Sequence, residues 1–81
     1  FRRVLFRSGS AAEALEEVRD FIDDAIMVGV GTVTILHGKG TGALREEIRR
    51  YLRTVPEVER AADEHADRGG AGITVVTLRM D

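Results

Sequence analysis

"GTVTILHGKGTGALREEIRRYL", residues 31–52, contains the change of pattern that decides the fold. In its first third, Val33 and Ile35 fall on one side of an extended chain and Thr32 and Thr34 on the other. That is the period of a strand with one packed and one wetter face. In its last third the period changes. Leu44, Ile48, Tyr51 and Leu52, continued by Val55, recur at helical spacing. Pro56 ends the stripe, because a residue before proline disfavours helical backbone. Between strand and helix lies HGKGTG, residues 37–42, with three alternating glycines. A strand that runs through a glycine loop into a helix is half of a β-α-β unit.

Upstream, "RRVLF" (2–6) reads as a short strand and "SGS" as a turn leading to a helix cap. Ser10 with Glu13 three residues later is a capping box. Leu15, Val18, Ile22, Ala25 and Ile26, with Phe21 alongside, predict a helix over 11–27 that stops near Gly29. Downstream, "EVERAA" (57–62) is a weak strand candidate, "DEHADRGGAG" (63–72) a polar loop, and "ITVVTLRM" (73–80) a strand rich in β-branched residues. The order β-α-β-α-β-β predicts an α/β two-layer sandwich. Both helices should lie on one face of a small mixed sheet, with parallel strands joined by right-handed crossovers.

At 81 residues the chain is read as a single domain spanning 1–81, without repeat or linker, excised from a longer protein. A chain this short buries roughly 60–65% of its unfolded surface, which leaves no room for a deep enclosed active site. Cysteine is absent, which excludes disulfides and thiolate metal sites and makes the cytoplasm the expected compartment. No segment is apolar enough to span a membrane and no secretory signal is evident, so a membrane partner is not expected. The absence of tryptophan weakens any model of bases stacked on a ring platform. The formal net charge of −2 is unevenly spread. Residues 9–30 carry Glu13, Glu16, Glu17, Asp20, Asp23 and Asp24 against Arg19 alone. Residues 37–53 carry Lys39, Arg45, Arg49, Arg50 and Arg53 against Glu46 and Glu47. A polyanion would meet the second helix and its loop, not the first helix.

The loop sits where a strand ends and a helix begins, where backbone amides and the positive end of the helix dipole converge. Gly38, Gly40 and Gly42 would let a phosphate approach. Lys39 adds charge, and Thr41 a hydroxyl or a helix cap. His37 is the one group there that titrates near neutrality, so it can move a proton. The nearest nucleotide motifs do not match: Lys39 is followed by Gly40 rather than Ser or Thr, and G-x-G-x-G is not G-x-G-x-x-G. The plain alternative is a strand-to-helix turn with a solvated histidine. Asp63, Glu64, His65 and Asp67 read as a solvated loop, since nothing fixes a ligand geometry, and no metal site is assigned. Tyr51 reads as core, and the carboxylates of the first helix as outward-facing.

"LHGKGTGALREEIRRYLRTVPEV" resembles the small MutS-related (Smr) domain, whose hallmark is H-G-x-G-x-G. It is most similar to the version at the C-terminus of the second bacterial MutS paralogue, in the endonuclease MutS family. "AAEALEEVRDFIDDA" and "GGAGITVVTL" carry the same resemblance, over roughly residues 10–81. It implies the β-α-β-α-β-β sandwich and binding to DNA or RNA, with endonuclease activity in several members. For the full-length paralogue it implies suppression of recombination and rescue of collided ribosomes. By position, His37, Gly38, Gly40 and Gly42 are the signature, with Lys39 and Arg45 as phosphate contacts. Arg7 survives from a second motif, Leu-Asp-x-Arg-Gly, aligned on Val4, Leu5, Phe6, Arg7 and Ser8. Leu5 stands where that motif has its acid, and leucine can neither take a proton nor hold a cation. Residues 1–9 otherwise match poorly and read as a non-native segment. The expectation is a nucleic-acid-binding module in which the loop, with Arg7, Lys39, Thr41 and Arg45, holds a phosphate. His37 would be its proton-transfer group, and cleavage would be weak or absent. The alternatives are a non-catalytic nucleic-acid or ribosome-binding module, and a protein–protein module. No cofactor is assigned, and a divalent cation is compatible with such chemistry.

Overall fold

A computed structural model of the chain describes residues 3–5, 10–38, 40, 42–68 and 70–79. Six regular elements follow in the order β1 (Arg3–Leu5), α1 (Ala11–Val28), β2 (Thr32–Leu36), α2 (Ala43–Leu52), β3 (Val58–Asp63) and β4 (Ile73–Leu78). The strands form one sheet in the order β1-β2-β4-β3. β1 runs parallel to β2, whereas β4 is antiparallel to both β2 and β3. The two crossovers therefore join parallel strands, as expected. β2 and β3 are not neighbours, however, because β4 returns and inserts between them.

The α1 start is built from its own side chains. Ser10 is extended, at φ −135°, and its hydroxyl accepts the Glu13 amide at 3.2 Å. The Glu13 carboxylate closes the box on the Ser10 hydroxyl at 3.1 Å. At the far end Gly29 takes φ 88°, where its amide reaches the carbonyls of Ala25 and Ile26. A left-handed residue at this position lets the last carbonyls be satisfied as the chain turns away.

Val18, Ile22 and Ala25 from α1 meet Ile48 and Leu52 from α2 over Val33 and Ile35 of β2 and Val76 and Leu78 of β4. These nine buried residues form one cluster, which places both helices on the same face of the sheet. Fully burying a Leu, Ile or Val side chain stabilises the fold by about 1.5–3 kcal/mol. Tyr51 packs against the same core, and the Arg19 guanidinium lies 5.1 Å from its ring centroid. Thr32 on the uncovered face is exposed, and Thr34, Val75 and Thr77 are half-buried. No described helix is long and apolar enough to cross a membrane.

β3 contains a bulge. Val58 pairs with Leu78 but Arg60 with Thr77, so Glu59 is the extra residue. An inserted residue breaks strict alternation, and "VERAAD" accordingly shows no clean period. The segment expected to be a loop over 63–72 contributes Asp63 to β3. It then forms two single-turn 3-10 helices, Ala66–Arg68 and Gly70–Gly72.

Candidate functional site

The alternation that buries Val33 and Ile35 brings His37 next onto the helix-covered side, just beyond the end of β2. The sheet register supplies its neighbours. Thr74 at the start of β4 is paired with Ile35 on one side and with Asp63 on the other. Three strands thus bring His37, Thr74 and Asp63 to one end of the sheet, the carboxyl ends of β2 and β3. Ligands of open α/β sheets gather at such ends. From above, α2 lowers Arg45 and Arg49, one helical turn apart, into the same corner.

A continuous set of hydrogen bonds connects them. His37 Nδ1 lies 2.8 Å from the carbonyl oxygen of Gly38. A carbonyl only accepts, so Nδ1 carries the proton. In the neutral ring Nε2 then accepts from the Thr74 hydroxyl, 2.8 Å away. Thr74 is completely buried, and its oxygen in turn accepts from Arg49 Nε at 3.2 Å. Arg49 Nη2 donates to Asp63 Oδ1 at 2.7 Å. Arg45 sends Nε and Nη2 to that same oxygen, at 3.1 and 2.9 Å, and Nη1 to Glu46 at 3.0 Å.

These contacts set the protonation states. Burial holds the His37 pKa below its ordinary value, and the nearby Arg49 and Arg45 charges push the same way. The Gly38 carbonyl and Asp63 oppose that shift without reversing it. Hydrogen bonding from Arg45, reinforced by the charges of both arginines, holds the Asp63 carboxyl below its usual range. The corner is therefore a neutral imidazole beside a carboxylate gripped by two guanidiniums. A neutral imidazole with a lone pair at Nε2 can accept a proton, and partly exposed guanidiniums can exchange one anionic oxygen for another.

The loop is held from the opposite side. The amides of His37 and Gly38 both donate to the Gly72 carbonyl, at 3.2 and 2.9 Å. The Gly38 amide is thus engaged within the protein. Gly38, Gly40 and Gly42 have φ of 79°, 43° and 84°, and a β-carbon at any of them would meet nothing within 4 Å. Backbone conformation, not crowding, requires glycine there. Gly42 begins α2 without a side-chain cap, and its carbonyl accepts the Glu46 amide.

Of the residues expected from sequence, His37, Gly38 and Arg45 take part in this corner, while Gly40 and Gly42 belong to the loop that leads into α2. Arg7, Lys39 and Thr41 lie outside the described residues. Arg45 is not an open basic contact, because Asp63 and Glu46 hold it. Among the described residues no three His, Asp or Glu gather to hold a metal ion. Thr74 and Arg49 are absent from the site expected from sequence, and Asp63 is expected only as part of a solvated acidic loop. Arg45 and Arg49, spaced by four residues beside the apolar stripe, were the available signal for two cations leaning over the sheet.

A family model described as Smr domain matches residues 6–79. The endonuclease MutS2 of Halalkalibacterium halodurans is 48% identical over 67 residues, covering 83% of this chain and 8% of that protein. The endonuclease MutS2 of Thermus thermophilus is 47% identical over 78 residues, covering 96% of this chain and 10% of that protein. The chain thus spans a tenth or less of the length of these two relatives. Among solved structures, the Smr domain of T. thermophilus MutS2 superposes with a TM-score of 0.90 at 47% identity, covering 98% of this chain and 99% of that one. YdaL, a stand-alone small MutS-related protein from Escherichia coli, superposes with a TM-score of 0.88 at 26% identity, covering 96% of this chain and 64% of that one.

Proposed function

The chain belongs to the Smr domain family, and from that premise we propose that it is a nucleic-acid-binding module that receives a backbone phosphate at the His37 corner. The observation that carries the reading is the convergence of Arg45, Arg49 and His37 on one end of the sheet, beside a glycine loop at the start of α2. A phosphate oxygen arriving there takes the place of the Asp63 oxygen on one or both guanidiniums, and Lys39 and Arg7 add charge around it. The helix N-terminus contributes its dipole.

Binding, rather than cutting, is the main activity in this reading. His37 can perform one proton transfer, and Arg45 and Arg49 can stabilise a developing charge. The second acid/base has no group at the first strand, where Leu5 pairs with Leu36, one residue before His37. Losing one general acid or base costs about 10²–10⁴ in rate. The MutS2 relatives are named endonucleases, so slow cleavage dependent on His37 is the companion reading.

Titration of labelled single- and double-stranded DNA and RNA across a salt series tests the proposal. Lys39→Ala with Arg45→Ala should weaken binding and flatten the salt slope by about one unit per lost phosphate contact. An unchanged slope overturns the phosphate-binding reading, and affinity that ignores salt in the parent chain points to a protein partner instead.

A further inference from the structure

We propose that the groove between α2 and β3, next to the His37 corner, holds one nucleotide of a single-stranded nucleic acid. The proposal deepens the reading above and rests on it for the class of ligand. The groove encloses about 210 Å³. Arg49 and Arg53 stand on its rim with Glu59 as the one carboxylate, and its floor is Leu52, Val58 and Ala61, whereas Arg60, paired with Thr77, belongs to the uncovered face. The β3 bulge makes this floor. In a regular strand Val58 and Ala61, three residues apart, would point to opposite faces. With Glu59 inserted, both pack against the core side.

The charges divide in a telling way. Arg45, Arg49 and Arg50 each have a carboxylate partner. Arg53 is exposed and forms no ion pair among the described residues. Arg53 is therefore open at once to an incoming anion in the groove, and Arg49 belongs to both places. A cationic rim over an apolar floor matches a nucleotide: a planar guanidinium can bind phosphate with two parallel bonds or stack on a base. The size fits a piece of polymer. Sites that enclose a free small molecule usually measure about 300–1,000 Å³, and this one is smaller and open. A duplex keeps its bases stacked inside and cannot lay one on the floor, so the groove selects single strands.

The test uses a short fluorescein-labelled deoxythymidine strand and its duplex with deoxyadenosine. Arg53→Ala should weaken single-strand binding several-fold and flatten the salt slope by roughly 0.7, the value for one phosphate. The Arg53 side chain is exposed, so the fold should survive, which circular dichroism checks. Glu59→Gln should strengthen binding, and Arg50→Ala, outside the groove, should change little. If Arg53→Ala binds like the parent while Lys39→Ala with Arg45→Ala weakens binding, the groove proposal falls and the corner reading stands. The reverse pattern leaves the groove standing and removes the corner. Equal weakening by Arg50→Ala, or no preference of the parent chain for the single strand, overturns the groove proposal. A chain that binds neither probe overturns both.

Discussion

α1 starts at Ser10, whose hydroxyl and Glu13 partner close the helix end from within. α2 starts at Gly42, which has no side chain to offer. The two crossovers share a plan: each joins parallel strands and each helix gives its apolar stripe to the same core. They differ in everything outside that stripe. The polar face of α1 is exposed carboxylates, Glu13, Glu16, Glu17, Asp20, Asp23 and Asp24, which repel a polyanion. α2 instead turns Arg45 and Arg49 over the sheet end. One crossover is a structural support, and in the proposed function the other combines support with recognition.

That contrast can be broken by separating stability from binding. Ile22 is fully buried on α1, and Ile22→Ala should cost about 2–5 kcal/mol. Urea denaturation measures the loss. Nucleic-acid affinity under conditions where the variant is fully folded should be unchanged. Weaker binding by a fully folded variant would mean that α1 also shapes the interface. A finer comparison uses two glycines of nearly equal φ, Gly29 at 88° and Gly42 at 84°, both with open space around the β-position. Alanine at either should cost about 1–2 kcal/mol, the penalty of left-handed backbone. Only Gly42→Ala should also reduce binding. Equal binding losses from both would place the effect in general stability.

The same contrast shows what could be read from the chain. The change of period within 31–52, the Ser10–Glu13 box and Gly29 are local signals, and each led to its element. His37 and its glycines were visible because their composition is unusual over six residues. β3 was faint because the bulge at Glu59 scrambles its alternation. Asp63 and Thr74 were not legible as site residues. They meet only because β4 inserts between β2 and β3, and no local pattern encodes strand order. Thr74 looked like one more β-branched strand residue, yet it is the buried link between His37 and Arg49.

The smallest effect expected is the titration of His37 itself, and it tests whether the corner is wired as described. NMR of the ring carbons should give a midpoint below the ordinary 6.5, because burial and the two arginines disfavour the imidazolium. The sign for stability follows. In the unfolded chain the ring titrates near 6.5, so its contribution is intact above that pH. Stability falls as pH drops through 6.5 towards the lower folded midpoint, and the loss levels off below it. The structural cause is visible at Thr74. Once protonated, Nε2 must donate, and the Thr74 hydroxyl faces two cationic donors, His37 and Arg49. Asp63→Asn should lower the midpoint further, since Asp63 is the one nearby charge that favours the imidazolium. A midpoint at or above 6.5 in the parent chain, or a rise in Asp63→Asn, would show that His37 does not share its electrostatic environment with Arg45, Arg49 and Asp63. α2 would then lose its distinction from α1 as the helix that sets the chemistry of the loop.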